Sequence, residues 1–213
     1  ERLARALEKL GPAYIKLGQF LATRPDVFGS EVTSDLSRLK DKLPPFSDKL
    51  ARAALVTEFG QEEASRLFPG LGPPLAAASL AQVHKMETSG GTRAVKILRP
   101  GIEGQLTREL SAMRRAALTI EGVSMDSRRL KPVAFTETIA AAMMRETDLR
   151  LEAGGADEMR ELSEKSGYFQ VPRVDWDRTG RRVLTTDWVE GIPLTHPDAL
   201  ANPAIDRVAL AND

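Results

Sequence analysis

The stretch from Pro74 to Pro100 constrains this chain more than any other. Two strand-like runs, Pro74 to Glu87 and Arg93 to Pro100, flank Thr88-Ser89-Gly90-Gly91. A Gly-Gly pair between two such runs signals a β-hairpin. The first run alternates. Leu80, Gln82, His84 and Met86 fall on one face, and Ala81, Val83, Lys85 and Glu87 on the other. The second run carries Lys96 between Val95 and Ile97 and ends at a Pro100-Gly101 break. A sheet is therefore required, with one lysine fixed late in a strand.

A small-residue loop, Ala76-Ala77-Ala78-Ser79, precedes the hairpin. Loop, hairpin and strand lysine in this order resemble the phosphate end of a protein-kinase-like nucleotide site, where the lysine is a point charge for phosphates. One element differs. Kinase loops use glycines so that backbone N–H groups reach the phosphates, whereas alanine's Cβ disfavours positive φ and holds the backbone further from a ligand. On these residues alone an alanine-rich turn before an ordinary hairpin, with Lys96 solvated, is the favoured reading.

Upstream, residues 1–10 read as a short amphipathic helix and Gly11-Pro12 restarts a second one. The second carries Lys16-Leu17-Gly18-Gln19 and ends before Arg24-Pro25-Asp26. Lys16 and Gln19 share a face among apolar neighbours, so Lys16 either snorkels or meets an opposite charge. Gly18 is a poor helix residue whose use would be close approach of another backbone. Helices follow over Val32 to Lys40, Lys49 to Phe59 (capped by Ser47) and Gln61 to Phe68. Pro69 to Pro74 is the clearest boundary.

Downstream, Gly101 to Ile120 reads as a helix and Gly122 to Ser127 as a loop. A long helix is predicted from Pro132 to about Ser163, interrupted at Gly154-Gly155. Within it, Asp148 and Glu152 are four apart and share a face, with Glu146 on another side. A solvated face with local arginine partners is the ordinary reading of such a run. Val171 to Trp176 and Arg182 to Trp188 read as strands joined by a turn. His84 reads as a strand residue satisfied by local hydrogen bonds. Trp176, Trp188, Phe135, Met143 and Met144 read as core.

Three of these motifs, "PLAAASLAQVHKM" with "AVKILRPGI", Lys16-x-Gly18-Gln19 and Glu146-x-Asp148, resemble the UbiB family of atypical protein-kinase-like proteins, in the family's order. The resemblance covers essentially the whole chain. It implies an α+β fold: a protein-kinase-like N-lobe, with an antiparallel sheet plus an αC-type helix, behind an N-terminal helical extension. It divides the chain into an extension over 1–70, an N-lobe over 71–188, and a hinge with the start of a largely missing C-lobe over 189–213. Lys96 would pair with Glu152, and Lys16 with Glu146 and Asp148. Lys16 and Gln19 would point into the pocket. Ala76, Ala77, Ala78, Ser79, Lys96 and Glu190 would contact the nucleotide.

The same resemblance implies ATP or ADP as ligand, and Mg²⁺ held by residues of a complete protein. Its implied role is in ubiquinone biosynthesis beside a membrane, in a bacterial cytoplasm or at the inner membrane's inner face, or on the matrix side of a mitochondrion. Prenyl-lipid, a quinone precursor and other ubiquinone-biosynthesis proteins are implied partners. Family members have carried the label 2-polyprenylphenol 6-hydroxylase, but no flavin, haem or iron motif supports hydroxylation here.

Composition narrows the alternatives. Thirty basic and 30 acidic residues cancel, giving no argument for nucleic acid. Absence of cysteine excludes disulfides and thiolate metal sites, and two histidines exclude a His-rich one. No apolar run is long enough to span a bilayer, so membrane contact is expected to be peripheral. The chain starts at Glu1 and stops at Asp213 without an Asp-Phe-Gly motif or catalytic loop, so it reads as a fragment that does not turn over nucleotide alone. The alternatives to an atypical kinase or ATPase are a pseudokinase-type module that senses nucleotide or a prenyl-lipid head group, and a small-molecule phosphotransferase. The Lys16-x-Gly18-Gln19 extension argues against the last.

Overall fold

The computed structural model describes residues 2–39, 43–123, 125–167 and 169–192. Four short helices come first: α1 (Arg2–Leu10), α2 (Pro12–Ala22), α3 (Pro25–Phe28) and α4 (Ser30–Leu36). Then come α5 (Asp48–Phe59) and α6 (Gln61–Leu67), followed by strands β1 (Leu71–Ala77), β2 (Ala81–Thr88) and β3 (Gly91–Leu98). A helical segment follows: α7 (Ile102–Val123), α8 (Met125–Arg129), α9 (Pro132–Arg145) and α10 (Leu149–Ser166). A 3-10 turn at Trp176–Arg178 precedes the last strand, β4 (Val183–Asp187).

The strands form one antiparallel sheet in the order β1-β2-β3-β4. This is the expected antiparallel sheet with a helix against it. The hairpin turn falls between Thr88 and Gly91, which pair. Cross-strand partners share a face. Gln82, His84 and Met86 of β2 therefore lie on the same face as Ile97 and Val95 of β3 and Val183 of β4, and that face is buried under α5 and α6. Ser47 caps α5 by accepting from Leu50 N–H at 3.4 Å, as the sequence predicts.

The opposite face is only half covered. Leu98 and Leu184 join Leu149 and Ala153 of α10 in a second core, with Leu106, Leu110 and Met113 of α7 and Ile139 and Met143 of α9. Over β2 and β3, Val83, Lys85, Ala94 and Lys96 stay partly exposed. That open half-face is where the sheet offers apolar surface and two lysines together.

His84 is fully buried, and both ring nitrogens are engaged. Nδ1 lies 2.8 Å from the Gly72 carbonyl, which only accepts, so Nδ1 carries the proton. Nε2 then accepts from Gln82 Nε2 at 2.8 Å. Gln82 Oε1 accepts from Phe46 N–H at 2.9 Å. This neutral network satisfies groups that would otherwise cost stability in an apolar core.

Several sequence expectations change. The predicted helix from Pro132 to Ser163 is two helices, and it breaks at Glu146-Thr147-Asp148 rather than at Gly154-Gly155. No glycine or proline sits at the break. Thr147 Oγ donates to the Met144 carbonyl at 2.7 Å, and Asp148 accepts from Arg150 N–H at 3.2 Å. Side-chain bonds to the backbone end one helix and cap the next. Gly154 and Gly155 stay helical because burial of Leu149 and Ala153 outweighs their propensity cost of about 1 kcal/mol each.

The region expected as a loop at 122–127 is helical to Val123 and again from Met125. The strand expected over Val171 to Trp176 reduces to one bridge, Val174 to Thr186. The helix expected from Val32 to Lys40 ends at Leu36; Lys40 lies outside the described residues. So does the second-lobe start from Pro197. Of the expected core residues Met143 is buried, while Trp176, Phe135 and Met144 are exposed, and Trp188 is half-buried.

Candidate functional site

Five elements converge on a cavity of about 340 Å³ at the open half-face. Its lining comes from the β1–β2 turn (Ala78, Ser79, Leu80, Ala81), from Lys96 and Leu98 of β3, and from Lys16, Glu146 and Glu152. Lys96 Nζ donates to both Glu152 oxygens, at 2.8 and 2.7 Å. Lys16 Nζ lies 3.4 Å from Glu146 Oε2. The helix break makes this possible. Glu146 is the C-cap of α9 and Glu152 lies in the first turn of α10, so both carboxylates face one cavity from consecutive helices.

α2 delivers Lys16, and α7 seats α2. Glu109 of α7 accepts from Ala13 N–H at 2.8 Å, placing a carboxylate at the N-terminus of α2, where backbone N–H groups are unpartnered. Gly11 has φ 120°, and any Cβ there would strike the Glu109 carboxylate. Gly18 faces Leu7, Leu36 and Leu39. The expected close approach at Gly18 is to side chains of α1 and of the α4 end, not to a backbone.

Other expected site residues lie elsewhere. Ala76 and Ala77 belong to β1, paired with Val83 and Gln82, and do not line the cavity. Gln19, further along α2, does not line it either. Asp148 does not pair with Lys16; it caps α10 and holds Arg150 at 2.6 Å. Glu190 follows β4, highly exposed, accepting from Trp188 Nε1 at 2.8 Å and standing 3.7 Å from Lys85 Nζ. Lys85 also lies 5.0 Å over the Trp188 ring, so Glu190 sits near the far end of the open half-face from Lys96. Val83 and Ala94, which complete the apolar roof between these ends, were not picked out from sequence. Their signal is register: each directly faces a lysine across the β2–β3 ladder.

The bond from Arg150 holds the Asp148 carboxyl below its usual value of 3.8. A depressed folded value means the stabilisation is present in full above the unfolded value and fades as pH falls through the folded one. Thermal unfolding of the native protein should thus lose stability below about pH 4, and Asp148→Asn should flatten that acid limb. An unchanged acid limb in Asp148→Asn would remove the cap from the account.

Among the described residues no three His, Cys, Asp or Glu side chains group as metal ligands, and the two cavity carboxylates are each engaged by a lysine. These residues do not fit a Mg²⁺ ion. A larger hollow, about 710 Å³, lies between the end of α10 and β4 around Arg160, Phe169 and Val189. It contains neither lysine–glutamate pair, so charge placement, not volume, selects the site. No helix among the described residues is long and apolar enough to cross a membrane.

Residues 38–213 match the ABC1 atypical kinase-like domain. The chain is 36% identical over 213 residues to a probable protein kinase UbiB of Marinobacter nauticus, covering 99% of this chain and 39% of that protein. It is 34% identical over 212 residues to that of Cellvibrio japonicus, with 99% and 38% coverage. The chain thus spans about two-fifths of the length of these relatives. A Mycobacterium tuberculosis structure, of Rv3197 with erythromycin, superposes with a TM-score of 0.59 at 28% identity, over 88% of this chain and 47% of that one. The chain therefore belongs to the ABC1 atypical kinase-like family.

Proposed function

We propose that this chain forms the nucleotide-binding part of a UbiB-like atypical kinase or ATPase that supports ubiquinone biosynthesis. One observation carries the reading: Lys96, held at both Glu152 oxygens, beside a tight turn and under an open apolar half-sheet. An adenine ring would lie against Val83 and Ala94, and the phosphates would reach Lys96 and the turn. The pair with Glu152 orients the ammonium, since a pair this exposed adds only about 0–1 kcal/mol of stability. Val83, Ala94, Lys96, Ser79 and Glu152 are its working residues.

Calorimetric titration of the protein with ADP, ATP and adenosine tests it. Both phosphate-bearing ligands should bind more tightly than adenosine. Equal affinities for all three, or no binding, would refute it.

A second reading, a non-catalytic nucleotide-sensing module, is favoured by Lys16. The extension brings this residue to the cavity wall, where an acceptor would approach. Nucleotide binding without phosphate release from the protein would select it. Prenyl-lipid contact and peripheral membrane attachment belong to the same proposal, and co-sedimentation with liposomes tests the attachment.

A further inference from the structure

We propose that the tip of the α7–α9 hairpin, residues 118–135, is the surface by which this protein docks on an anionic lipid membrane. The inference rests on the peripheral attachment proposed above and names the part of the fold that makes it.

α7 and α9 pack against each other, with α8 between them in the chain. Their shared core stops short of the tip. The last buried residue of α7 is Ala117 and the first of α9 is Thr136. Between these two no described residue is buried. Polar bonds shape the tip instead. The Glu121 carboxylate accepts from Val133 N–H at 3.0 Å, at the start of α9, where backbone N–H groups lack helical partners. The Glu121 carbonyl accepts from Arg128 Nε at 2.8 Å.

A tip held by polar bonds has no packing use for large apolar side chains. Yet Leu118, Ile120, Val123, Met125, Leu130 and Phe135 are all exposed there. Val123 and Met125, at 83% and 81%, are the most exposed large apolar side chains among the described residues. Apolar surface gathered in this way marks a contact with a protein or a membrane.

Arrangement and charge favour the membrane. At about 100° per residue, Leu118 and Ile120 project about 160° apart around α7. A folded partner covers one side of a helix, whereas a fluid apolar medium closes around all of it. The whole chain is neutral, with 30 basic and 30 acidic residues. Residues 114–135 nonetheless carry five basic residues, Arg114, Arg115, Arg128, Arg129 and Lys131, against two acidic ones, Glu121 and Asp126. All five cations are exposed. Glu137 engages Arg114 at 3.1 Å, and Glu121 is committed to α9, so the excess positive charge lies toward the tip. Long basic side chains lay their stems on apolar surface and hold their charge at the depth of lipid headgroups. There each cation is attracted to anionic lipid, and apolar insertion adds to that attraction.

The tip and the candidate cavity lie at opposite ends of α9. Glu146, which lines the cavity, is the C-cap of α9, whereas Val133 is in its first turn. α9 thus spaces the cavity from the docked tip by about 20 Å, and no tip residue lines that cavity.

Co-sedimentation with vesicles of phosphatidylcholine, with and without phosphatidylglycerol, tests the inference on the unaltered protein and two double variants. The unaltered protein should bind the anionic vesicles, and more weakly as salt rises. Val123→Asp with Met125→Asp should weaken that binding by more than about tenfold. Arg128→Gln with Arg129→Gln should weaken it about 10- to 30-fold and reduce its salt dependence. Melting temperature and ADP affinity should be unchanged in both, because all four side chains are exposed and outside the cavity. Met125→Trp reads insertion directly: its emission should shift to the blue on anionic vesicles, beyond any shift from Trp176 and Trp188. Undiminished binding by both double variants, or no blue shift, would overturn the inference and leave attachment through another surface standing. Equal binding of the unaltered protein to both vesicle types would overturn the anionic requirement. Loss of self-association instead of vesicle binding in the aspartate variant would make the tip a contact between copies and overturn the inference as well. Failure of the unaltered protein to bind either vesicle would overturn the attachment reading too, while leaving the nucleotide reading standing.

Discussion

Lys96→Met is expected to weaken ADP and ATP binding about 100-fold, the range for losing bonds from a charged donor to an anionic ligand. Adenosine binding should be nearly unchanged, because the proposed site puts only the phosphates at Lys96. Thermal stability should fall little. The Lys96 and Glu152 side chains are 33% and 50% exposed, and an ion pair so placed contributes about 0–1 kcal/mol. Methionine keeps the aliphatic stem against the sheet while deleting the charge. The combination, large loss of phosphate affinity with an intact fold, separates a ligand-binding lysine from a structural one. Titration calorimetry and a melting curve on the same sample measure both. Full affinity in Lys96→Met would dismiss the cavity as the phosphate site.

Gly18→Val should destabilise the protein by about 2–3 kcal/mol. A Cβ at this position already meets Leu39 and comes within 2.8 Å of Leu7 Cδ1, and Leu36 lies 3.5 Å away. These leucines are buried in the core holding α1, α2 and α4 together, so a larger side chain forces them to shift. Helix propensity alone would make the change favourable or neutral, so the sign of the result is informative. The effect corresponds to a drop of about 4–10 °C in melting temperature. Adding Leu39→Ala should recover part of the loss, since it removes the atom in closest conflict; additive effects would place the strain elsewhere. Moving α2 also moves Lys16, so the 3.4 Å pair with Glu146 should loosen with it.

Much of the sheet was legible because its signals are local. The Gly90-Gly91 turn, the alternation through His84 and Met86, and Lys96 before the Pro100-Gly101 break each depend on a few neighbouring residues. The helix break at Glu146-Thr147-Asp148 was not legible in this way. Gly154-Gly155 is the stronger breaker by propensity, but a side-chain cap and burial of Leu149 and Ala153 reversed the order. The family resemblance implied Asp148 as a partner for Lys16, and the same cap withdrew it.

Sequence by itself determined that a hairpin carries a lysine at its far end, that helices precede and follow it, and which acids were available to meet that lysine. Local patterns suffice for this, since backbone sterics and apolar periodicity act over a few residues. Only the tertiary structure decided that Glu109 seats α2 across 96 residues of sequence and that Val83 and Ala94 remain partly exposed. Those outcomes depend on which surfaces are left once the cores have closed, and no window of neighbouring residues contains that information.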